Sequence, residues 1–568
     1  MAAPSEGEGP QCFEAAPVRR LVRDRPAADR TRHGRYSAAF GSLSKRRGAA
    51  ALRALSLVVL VGAGTVALRQ SSVTLPSSSP ANIASSSSSP GTLIGPAREK
   101  SVSFLVLLRA AARPSCLMRW GSSARLSVKW TAGQHWAEIS GAPRDVDRSF
   151  HVSIEDYRSA SGSSVFATNH PAATPAGVCG EVAGVGSIHS FVQPTSLAVP
   201  QGGLSRVDLL RAYDALPLTS AGYNGQGQTI VLLEVGGFIA GDFNKFAAME
   251  GLPGYNLSVV GSASTYSDET DMDVETVHEI APQAHLVFLN ILGINARSNA
   301  AVYADAFVFA AKHWPGAVFS ISLSQCETDT QAFNYSDLIA LNSTVMSIEA
   351  KGSTVYASSG DSGGLDCTPW SQAGKPPESS FVGVGVPASL PAVTATGGTS
   401  LTTDAAGNYV FETTWSESFL SQGTGGGVSH YFPRPSWETG TGTGGQIDTG
   451  NHFEVPIVSA DSDPNTGNAV ILNGQASMGG GTSLASPIWA GFTAIMDQYL
   501  KAHHDRQVGF FNPILFHLAN SPEPYPPFHD ITIGGNDFYL ATPGYDMTTG
   551  LGSPDVFNLA RDLAAGRF

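Results

Sequence analysis

The chain has 568 residues, of which 42% are hydrophobic and 14% are charged, and its net charge at pH 7 is −13. This length is enough for two or three domains, and the hydrophobic content is enough for a large buried core. The body of the chain after residue 204 is acidic and poor in lysine, which excludes most nucleic-acid binders because they need a basic face. It suits an acidic medium, where protonation of some carboxylates relieves their mutual repulsion.

Residues 1–100 form a basic, apolar and serine-rich N-terminal region. The apolar run at 54–68 is short for a membrane-spanning helix and has the length of a signal-peptide core, although it begins far from Met1. A membrane anchor, an unusual signal and a misjudged N-terminus are all left open for this run. Residues 71–90 are serine-rich and typical of a flexible linker.

Residues 101–190 are predicted to form a small α+β domain. The pattern favours two strands around a turn at 124–141, a helix followed by a strand at 145–159, and a strand, an extended segment and a short helix at 165–188. Residues 191–203 contain proline and glycine, which indicates a linker between domains that proteases can reach.

From residue 204 to residue 568 the hydrophobic pattern changes. Short apolar runs at 228–235, 285–292, 317–324 and 353–360 alternate with segments of helical length. Runs this apolar indicate strands buried on both faces, and the alternation predicts an α/β domain built on a parallel sheet.

The segment from Gly479 to Gly491, GGGTSLASPIWAG, predicts a tight turn followed by a buried helix. Glycine permits the turn, and Pro487 is expected in the first turn of the helix. Ser483 would then lie at the helix N-terminus, where free N–H groups and the macrodipole favour developing negative charge, as a nucleophile needs. The same residues are also ordinary N-cap chemistry for a buried helix.

Two acidic segments are further candidates for catalysis. Glu269 and Asp273 are four residues apart, so on a helix they share one face, and Ser267 is the expected N-cap. Asp361 follows the candidate strand at 353–360, at the end of the sheet where α/β proteins bind ligands. Acids in a first helical turn and an Asp turn are the structural alternatives.

Asp530 and Asp546 flank a glycine-rich loop whose free carbonyl groups could join them in binding a hard cation, although the spacing differs from that of an EF-hand. The five cysteines are too few for a disulfide scaffold and lack the spacing of metal ligands. Cys326 and Cys367 each follow a candidate strand and are a candidate bridged pair.

Together these motifs resemble the sedolisins, the serine-carboxyl peptidases. The family's Ser-Gly-Thr-Ser-x-Ala-x-Pro motif is matched at 480–487, with only the leading serine replaced by glycine. Its Glu-x-x-x-Asp helix is matched by Glu269 and Asp273, and its Ser-Gly-Asp-Ser-Gly strand end by 359–363. The blocks at 425–438, 529–532 and 543–554 also agree, in order and spacing. The resemblance covers 204–568 and extends more loosely over 101–190.

The resemblance implies a role for each catalytic residue. Ser483 would attack the scissile carbonyl, Glu269 would accept its proton, and Asp273 would orient Glu269. Protonated Asp361 would donate a hydrogen bond to the oxyanion. Because Glu269 must be able to accept a proton while Asp361 stays neutral, we expect a bell-shaped activity profile well below pH 7.

The resemblance also implies a subtilisin-like catalytic domain at 204–568 that binds one Ca²⁺. Its ligands would be the side chains of Asp530 and Asp546 and the carbonyl groups of Ile531, Thr542 and Gly544. The family usually has glycine where Thr542 stands, which matters only if the loop needs a conformation that glycine alone adopts. Glu234 matches a glutamate that extends the proton network in some members, and Leu323 replaces its usual aromatic partner.

The expected protein is a secreted or acidic-lumen proenzyme, monomeric, that cleaves polypeptides and is bound by its own prodomain, residues 101–190. The resemblance does not distinguish endopeptidase from tripeptidyl-peptidase action. The sequons at Asn256, Asn334 and Asn342 would be usable only in a secreted eukaryotic chain.

Two other classes are the alternatives. A subtilisin-type Ser-His-Asp protease would show a His-Gly-Thr-His block, which this sequence lacks, and His278 and His285 have no clear relation to a nucleophile. A catalytically inactive homologue that acts as a binding protein is the other alternative, because the early part of the prodomain is interrupted.

Overall fold

The computed structural model describes residues 92–110, 112–132, 136–158, 164–170, 172–190, 203–294, 299–329, 332–367, 382–417, 422–445, 451–503, 506–522 and 525–567. All of them belong to one compact unit, Ser72–Phe568. The apolar run at 54–68, the serine-rich segment at 71–90 and most of the predicted linker, 191–202, lie outside the described residues.

The first described part, residues 92–190, has an α+β architecture. Its elements are β1 (Thr92–Pro96), β2 (Val102–Leu108), α1 (Ser115–Ala124), β3 (Ser127–Lys129), β4 (Trp136–Gly141), α2 (Pro143–Phe150), β5 (Ile154–Arg158), β6 (Ser164–Thr168), a 3-10 helix (Ala176–Val178) and β7 (Val182–Val185). Two antiparallel sheets result, with strand orders β3-β4-β2-β7 and β1-β5-β6. Strand β1 pairs with β5, so the folded part begins before the expected boundary at residue 101.

A compact core holds this part together. The ring of Phe150, at the end of α2, meets the ring of Phe104 in β2 edge to face at 4.9 Å, and both side chains are fully buried. A disulfide joins Cys116 in α1 to Cys179 after the 3-10 helix. The sequence pattern indicated the short helix before Cys179 but missed the bridge, β2, α1 and β7.

The second part, residues 203–567, contains the remaining elements. The helices are α3 (Arg206–Ala212), α4 (Leu216–Ser220), α5 (Ala240–Met249), α6 (Asp268–Ile280), α7 (Asn299–His313), α8 (Tyr335–Glu349), α9 (Thr482–Ala502), α10 (Asn512–Asn520) and α11 (Val556–Ala564), with a 3-10 turn at Ile291–Gly293. The strands are β8 (Thr229–Glu234), β9 (Leu257–Val260), β10 (His285–Asn290), β11 (Val318–Ile321), β12 (Gln325–Cys326), β13 (Thr354–Ser358), β14 (Gly385–Val386), β15 (Thr394–Thr403), β16 (Tyr409–Thr414), β17 (Gly427–Pro433), β18 (His452–Val455), β19 (Val458–Asp461), β20 (Ala469–Leu472), β21 (Gln475–Met478), β22 (Phe528–His529) and β23 (Ser553–Pro554).

The central sheet has eight strands in the order β16-β15-β13-β11-β8-β10-β9, with β19 also paired to β15. All of these pairings are parallel except that of β15 with β16. The four predicted strands are β8, β10, β11 and β13, and residues 230–233 of β8 are fully buried because both faces of the sheet are covered. The prediction of an α/β domain with a parallel sheet is confirmed.

Helix α9 is buried on nearly all sides and packs on α6 and on the sheet. Polar side chains fix its position along the sheet: Ser486 Oγ lies 3.0 Å from Ser320 Oγ in β11, and Thr493 Oγ1 lies 2.7 Å from the Tyr356 hydroxyl in β13. The Trp489 indole N–H donates to the Ser459 carbonyl at 2.8 Å. These three contacts fix α9 against β11, β13 and β19.

The two parts share packing. Leu105 and Trp136 of the first part belong to the same hydrophobic cluster as the core of the second, and Ser187 Oγ donates to the Asp537 carbonyl at 3.4 Å. In the portion of the chain that the structure covers, no helix is both long and apolar enough to cross a membrane.

Candidate active site

Ser483 lies in the first turn of α9, as the sequence predicts. The helix begins at Thr482, and Gly481 holds the N-cap position with φ +83°. A Cβ atom on Gly481 would lie 2.9 Å from Asp361 Oδ2, so the close approach of the two segments requires glycine. Ser483 is half-buried, whereas Thr482 and Leu484 beside it are fully buried.

Pro487 lies inside α9 and not in the first turn, which corrects the prediction. Because proline has no N–H, the carbonyl of Ser483, four residues earlier, lacks its usual helical donor. Ser322, which follows β11, takes this place: its Oγ donates to the Ser483 carbonyl at 3.2 Å. The proline thus connects the nucleophile's turn to the sheet.

Glu269 and Asp273 share one face of α6, as their spacing predicts. Ser267 is the N-cap residue but makes no side-chain capping bond. Burial raises the pKa of Glu269, hydrogen bonding to the Ser483 hydroxyl lowers it, and the charge of Asp361 raises it. Ser483 and Asp361 are therefore both neighbours of the Glu269 carboxyl.

Glu234, at the end of β8, extends this group of carboxyls. Its Oε2 accepts the Thr270 hydroxyl at 3.1 Å, and its carboxyl lies beside that of Asp273. Burial raises the pKa of Asp273 well above its usual value, and the charges of Glu234 and Glu269 raise it further. Two neighbouring buried carboxyls repel each other when both are ionised, so this arrangement favours a proton on one of them. The contact forms although Leu323 stands where the aromatic partner was expected.

Asp361 follows β13 and faces the first turn of α9. Its Oδ1 accepts the Thr482 N–H at 2.8 Å and lies 2.9 Å from the Thr482 hydroxyl. Burial raises the pKa of Asp361, and the two bonds from Thr482 oppose this effect. Because Oδ1 is occupied by donors, a proton on Asp361 belongs on Oδ2, the oxygen that approaches Gly481.

The two histidines considered in the sequence have other partners. His278 lies in the last turn of α6, where its Nε2 pairs with the Pro253 carbonyl at 2.8 Å and its ring stacks on Tyr255. His285 Nε2 lies 2.8 Å from Ser258 Oγ. These contacts leave neither histidine in the position of a general base for Ser483.

The two predicted cation-binding carboxylates are attached to one short loop. The Gly544 N–H donates to Asp530 Oδ2 at 3.0 Å, and the Thr542 N–H donates to Asp546 Oδ2 at 3.1 Å. Gly544 has φ +83°, but Thr542 is not among the residues with positive φ, so threonine fits there without strain. The loop thus contacts both predicted carboxylate ligands through its N–H groups.

The donor set of this loop fits a hard cation. Asp546 is buried, and burial raises its pKa to about 7 against hydrogen bonds from uncharged hydroxyl and N–H groups. Two carboxylates and three carbonyl groups are all oxygen ligands, which Ca²⁺ prefers. Among the described residues no group of three or more His, Cys, Asp or Glu side chains could hold a metal, so carbonyl groups would have to complete this site.

The candidate disulfide is present, joining Cys326 to Cys367. Sequence reasoning missed three polar residues beside the site: Ser322, Thr482 and Asp366. The missing N–H of Pro487 was the one signal that the Ser483 carbonyl needs a donor from elsewhere, which Ser322 supplies. No sequence pattern indicated the contacts of Thr482 or Asp366 with the Asp361 turn.

Comparison with known proteins finds relatives of this chain, although no family model matches it. Kumamolisin of Bacillus sp. (strain MN-32) is 32% identical over 376 residues, which are 62% of this chain and 64% of kumamolisin. Sedolisin of Pseudomonas sp. (strain 101) is 32% identical over 376 residues, 63% of this chain and 60% of sedolisin. The chain thus spans somewhat less than two thirds of these relatives.

A solved structure gives fuller coverage. The structure of Pseudomonas sedolisin, a serine-carboxyl proteinase complexed with two molecules of pseudo-iodotyrostatin, is 30% identical with a TM-score of 0.55. The match covers 64% of this chain and 99% of that one. With this identity, this coverage and the shared order of motifs, the chain belongs to the sedolisin family.

Proposed function

We propose that the protein is an acid-active serine-carboxyl peptidase that hydrolyses peptide bonds of polypeptides. The observation that carries this proposal is the convergence on one half-buried hydroxyl, Ser483, of a carboxyl base on α6 and a second carboxyl after β13. The relatives' names support the reaction class, because they include sedolisin and several tripeptidyl-peptidases. We leave open whether the enzyme acts as an endopeptidase or releases tripeptides.

In the proposed mechanism, Ser483 Oγ attacks the carbonyl carbon of the scissile bond as Glu269 takes its proton. Asp361, protonated on Oδ2, donates a hydrogen bond to the oxyanion of the tetrahedral intermediate. Glu269 then passes the proton to the departing amine, which leaves an acyl-enzyme. Water attacks the ester with Glu269 again as base, and the returning proton restores Ser483. Asp273 and Glu234 share a proton behind Glu269 and adjust its basicity.

The pH dependence follows from the two carboxyls. The active form needs Glu269 ionised and Asp361 protonated, so activity falls at low pH as Glu269 is protonated and at high pH as Asp361 ionises. Burial raises the pKa of both groups, so both limbs lie at higher pH than ordinary carboxyls would give. A maximum at or above pH 7 would contradict the proposal.

We also propose that residues 101–190 act as a prodomain that is removed in acid at the linker, in an extracellular or acidic-lumen setting. Its contacts with the second part, such as that of Ser187 with Asp537, support the assignment. The full chain should be expressed and shifted to about pH 4, with N-terminal sequencing of the products. Cleavage between about residues 189 and 204 is expected in the wild type and not in Ser483→Ala.

The alternative is a catalytically inactive homologue that acts as a binding protein. Wild-type protein that is folded yet hydrolyses no peptide library between pH 2 and 6 would favour it. Retained cleavage in Ser483→Ala would instead point to a contaminating protease. Repeating the assay with inhibitors of other protease classes would show whether a contaminant is responsible.

We propose one Ca²⁺ per catalytic domain at the 542–546 loop, with Asp530, Asp546 and the carbonyl groups of Ile531, Thr542 and Gly544 as ligands. A cation there would neutralise the buried charge of Asp546. Free Ca²⁺ at about 100 times its Kd should stabilise the fold by about 2.7 kcal/mol, and a chelator should remove this gain. Asp546→Asn should abolish the Ca²⁺ dependence of Tm, whereas Asp404→Asn, at an exposed turn, should keep it. A Tm that ignores Ca²⁺ in the wild type would contradict the site.

A further inference from the structure

We infer that Asp366 is a positioning residue for Asp361, acting as a neutral carboxyl that fixes the turn carrying the proposed oxyanion donor. This inference rests on the proposed role of Asp361. Asp366 lies five residues after Asp361, outside every motif that identified the family in this sequence.

The Asp366 carboxyl binds the backbone of the Asp361 turn. Its Oδ1 accepts the Ser362 N–H at 2.9 Å, and the Asp361 N–H also hydrogen-bonds to the carboxyl. The turn is closed further by the Leu365 N–H, which donates to the Ser362 carbonyl at 3.2 Å. Both amide groups at the proposed oxyanion donor are therefore held by one side chain.

The other oxygen of Asp366 fills a slot between two backbone segments. A Cβ on Gly360 or on Gly425 would overlap with Oδ2, so both positions need glycine for the carboxyl to fit. The two segments are joined on either side of it, because the Gly425 N–H donates to the Gly360 carbonyl at 2.7 Å and the Ser359 hydroxyl donates to the Gly425 carbonyl at 2.7 Å.

Burial and hydrogen bonding indicate that Asp366 is neutral. Its Oδ2 is buried and has no hydrogen-bond partner among the described residues, so an ionised carboxylate would hold an uncompensated charge there. Burial raises the pKa of Asp366 well above its usual value, and the charge of Asp361 also raises it. A proton on Oδ2 leaves Oδ1 free to accept the backbone N–H groups.

The surroundings of Asp361 show what Asp366 contributes to its titration. Two titratable groups face the Asp361 carboxyl. Glu269 approaches it from α6, and Asp366 lies on the same turn as Asp361. Helix α9 presents Thr482, and the 422–425 segment presents only uncharged residues, with the Gly423 N–H donating to the Asp361 carbonyl at 3.1 Å. The 536–538 segment contacts the same turn through the Asn536 carbonyl and carries Asp537.

Asp366 therefore excludes water from the back of the turn and fixes the Asp361 backbone. Without it, Asp361 would be better solvated and less well oriented, so its pKa would fall toward the ordinary value and the proposed hydrogen bond to the oxyanion would weaken. The disulfide from Cys367, the next residue, to Cys326 braces the same turn from the side of β12.

The test compares Asp366→Asn with Asp366→Ala in the full-length, acid-processed protein. Asparagine keeps the acceptor and the neutral charge, so its kcat, KM and high-pH limb should match the wild type. Alanine should lower kcat about tenfold with KM within twofold, and should move the high-pH limb down by about one pH unit. A limb that stays in place in Asp366→Ala, with a lower Tm alone, would show a purely structural role and overturn the inference.

Two further results also decide the question. If Asp366→Asn shifts the limb as much as Asp366→Ala, the residue acts through a charge and the inference is wrong. If Asp366→Ala does not fold, Asp366→Ser, whose hydroxyl is too short for the Ser362 N–H, takes its place with the same expectations.

A direct titration separates this inference from the proposed function. The pKa of Asp361 can be followed through its carboxyl ¹³C shift in wild type and both variants, with Asp361→Asn for assignment. A wild type without peptidase activity would defeat the proposed function, whereas an Asp361 pKa unchanged by Asp366→Ala would defeat the inference. If Asp366→Ala lowers the pKa of Asp361 and Asp366→Asn leaves it unchanged, the inference is supported whether or not the wild type has peptidase activity.

Discussion

Helix α6 carries buried acids on two faces that differ in what they touch. On the first face, Glu269 and Asp273 meet Ser483, Ser322 and other carboxyls. On the second face, three acids hold backbone and amide groups. Asp271 Oδ1 accepts the Ile239 N–H at 3.2 Å, Glu275 Oε2 accepts the Ile471 N–H at 2.7 Å, and Glu279 Oε1 accepts the side-chain amide of Asn468.

Burial raises the pKa on both faces, so a raised pKa alone does not identify a catalytic carboxyl. What distinguishes the first face is access to a half-buried hydroxyl and to a second acid after β13. The second face anchors the hairpin β20–β21, which leads directly into Gly479 and the nucleophile's turn. One helix therefore carries both the carboxyls of the proposed proton transfer and the acids that support the nucleophile's turn.

The largest expected effect is on kcat, and it should differ between two matched variants, one on each face of α6. Glu269→Gln removes the proposed base and should lower kcat by about 10²–10⁴-fold. Glu275→Gln should keep kcat within about threefold at pH 4, because glutamine resembles the protonated acid and still accepts the Ile471 N–H. Steady-state hydrolysis of a peptide substrate measures both. An inactive Glu275→Gln with wild-type Tm would show that the distinction between the faces is wrong.

The second face should make the fold less stable at neutral pH than in acid. Burial raises the pKa of Glu275 to about 9 and that of Asp271 to about 7, from ordinary values of 4.5 and 3.8. The folded protein thus holds protons that the unfolded chain releases, so the free energy of unfolding falls as pH rises from about 4 through these values.

Asp271→Asn/Glu275→Gln should therefore raise the free energy of unfolding at pH 8 by about 2 kcal/mol and change it little at pH 4. Denaturant titrations of the Ser483→Ala protein at both pH values measure this without self-digestion. Asp337→Asn, on the N-terminal turn of α8, is a control expected to show no such pH-dependent gain. Equal effects at pH 4 and pH 8 would exclude a protonation effect.

A further variant tests the connection from the first face to the sheet. Ser322→Ala leaves the Ser483 carbonyl without its donor and should lower the free energy of unfolding by about 1–3 kcal/mol. Pro487→Ala restores a helical N–H to that carbonyl, so the double variant should recover at least half of the loss. Ser347→Ala, at an exposed serine on α8, is the control and should stay within about 0.5 kcal/mol. Additive losses in the double variant would contradict the connection.

The sequence by itself determined the local features of this protein. Apolar runs predicted β8, β10, β11 and β13, because strands buried on both faces must be continuously apolar. The spacing of Glu269 and Asp273 placed them on one helical face, and the glycines before Ser483 placed it at a helix start. Each of these inferences depends on residues close together in the chain, where periodicity and backbone geometry dictate the result.

Tertiary structure alone decided which groups those features face. Glu275 and Glu269 are both glutamates of α6, and the sequence does not distinguish them. Only the packing of α6 between the hairpin and α9 places Glu275 against the backbone of β20 and Glu269 beside Ser483. The contact of Ser322 with Ser483 and the approach of Asp366 to Gly425 join segments far apart in the chain. No local pattern encodes such contacts, because they arise when the sheet brings the ends of separate strands to one edge.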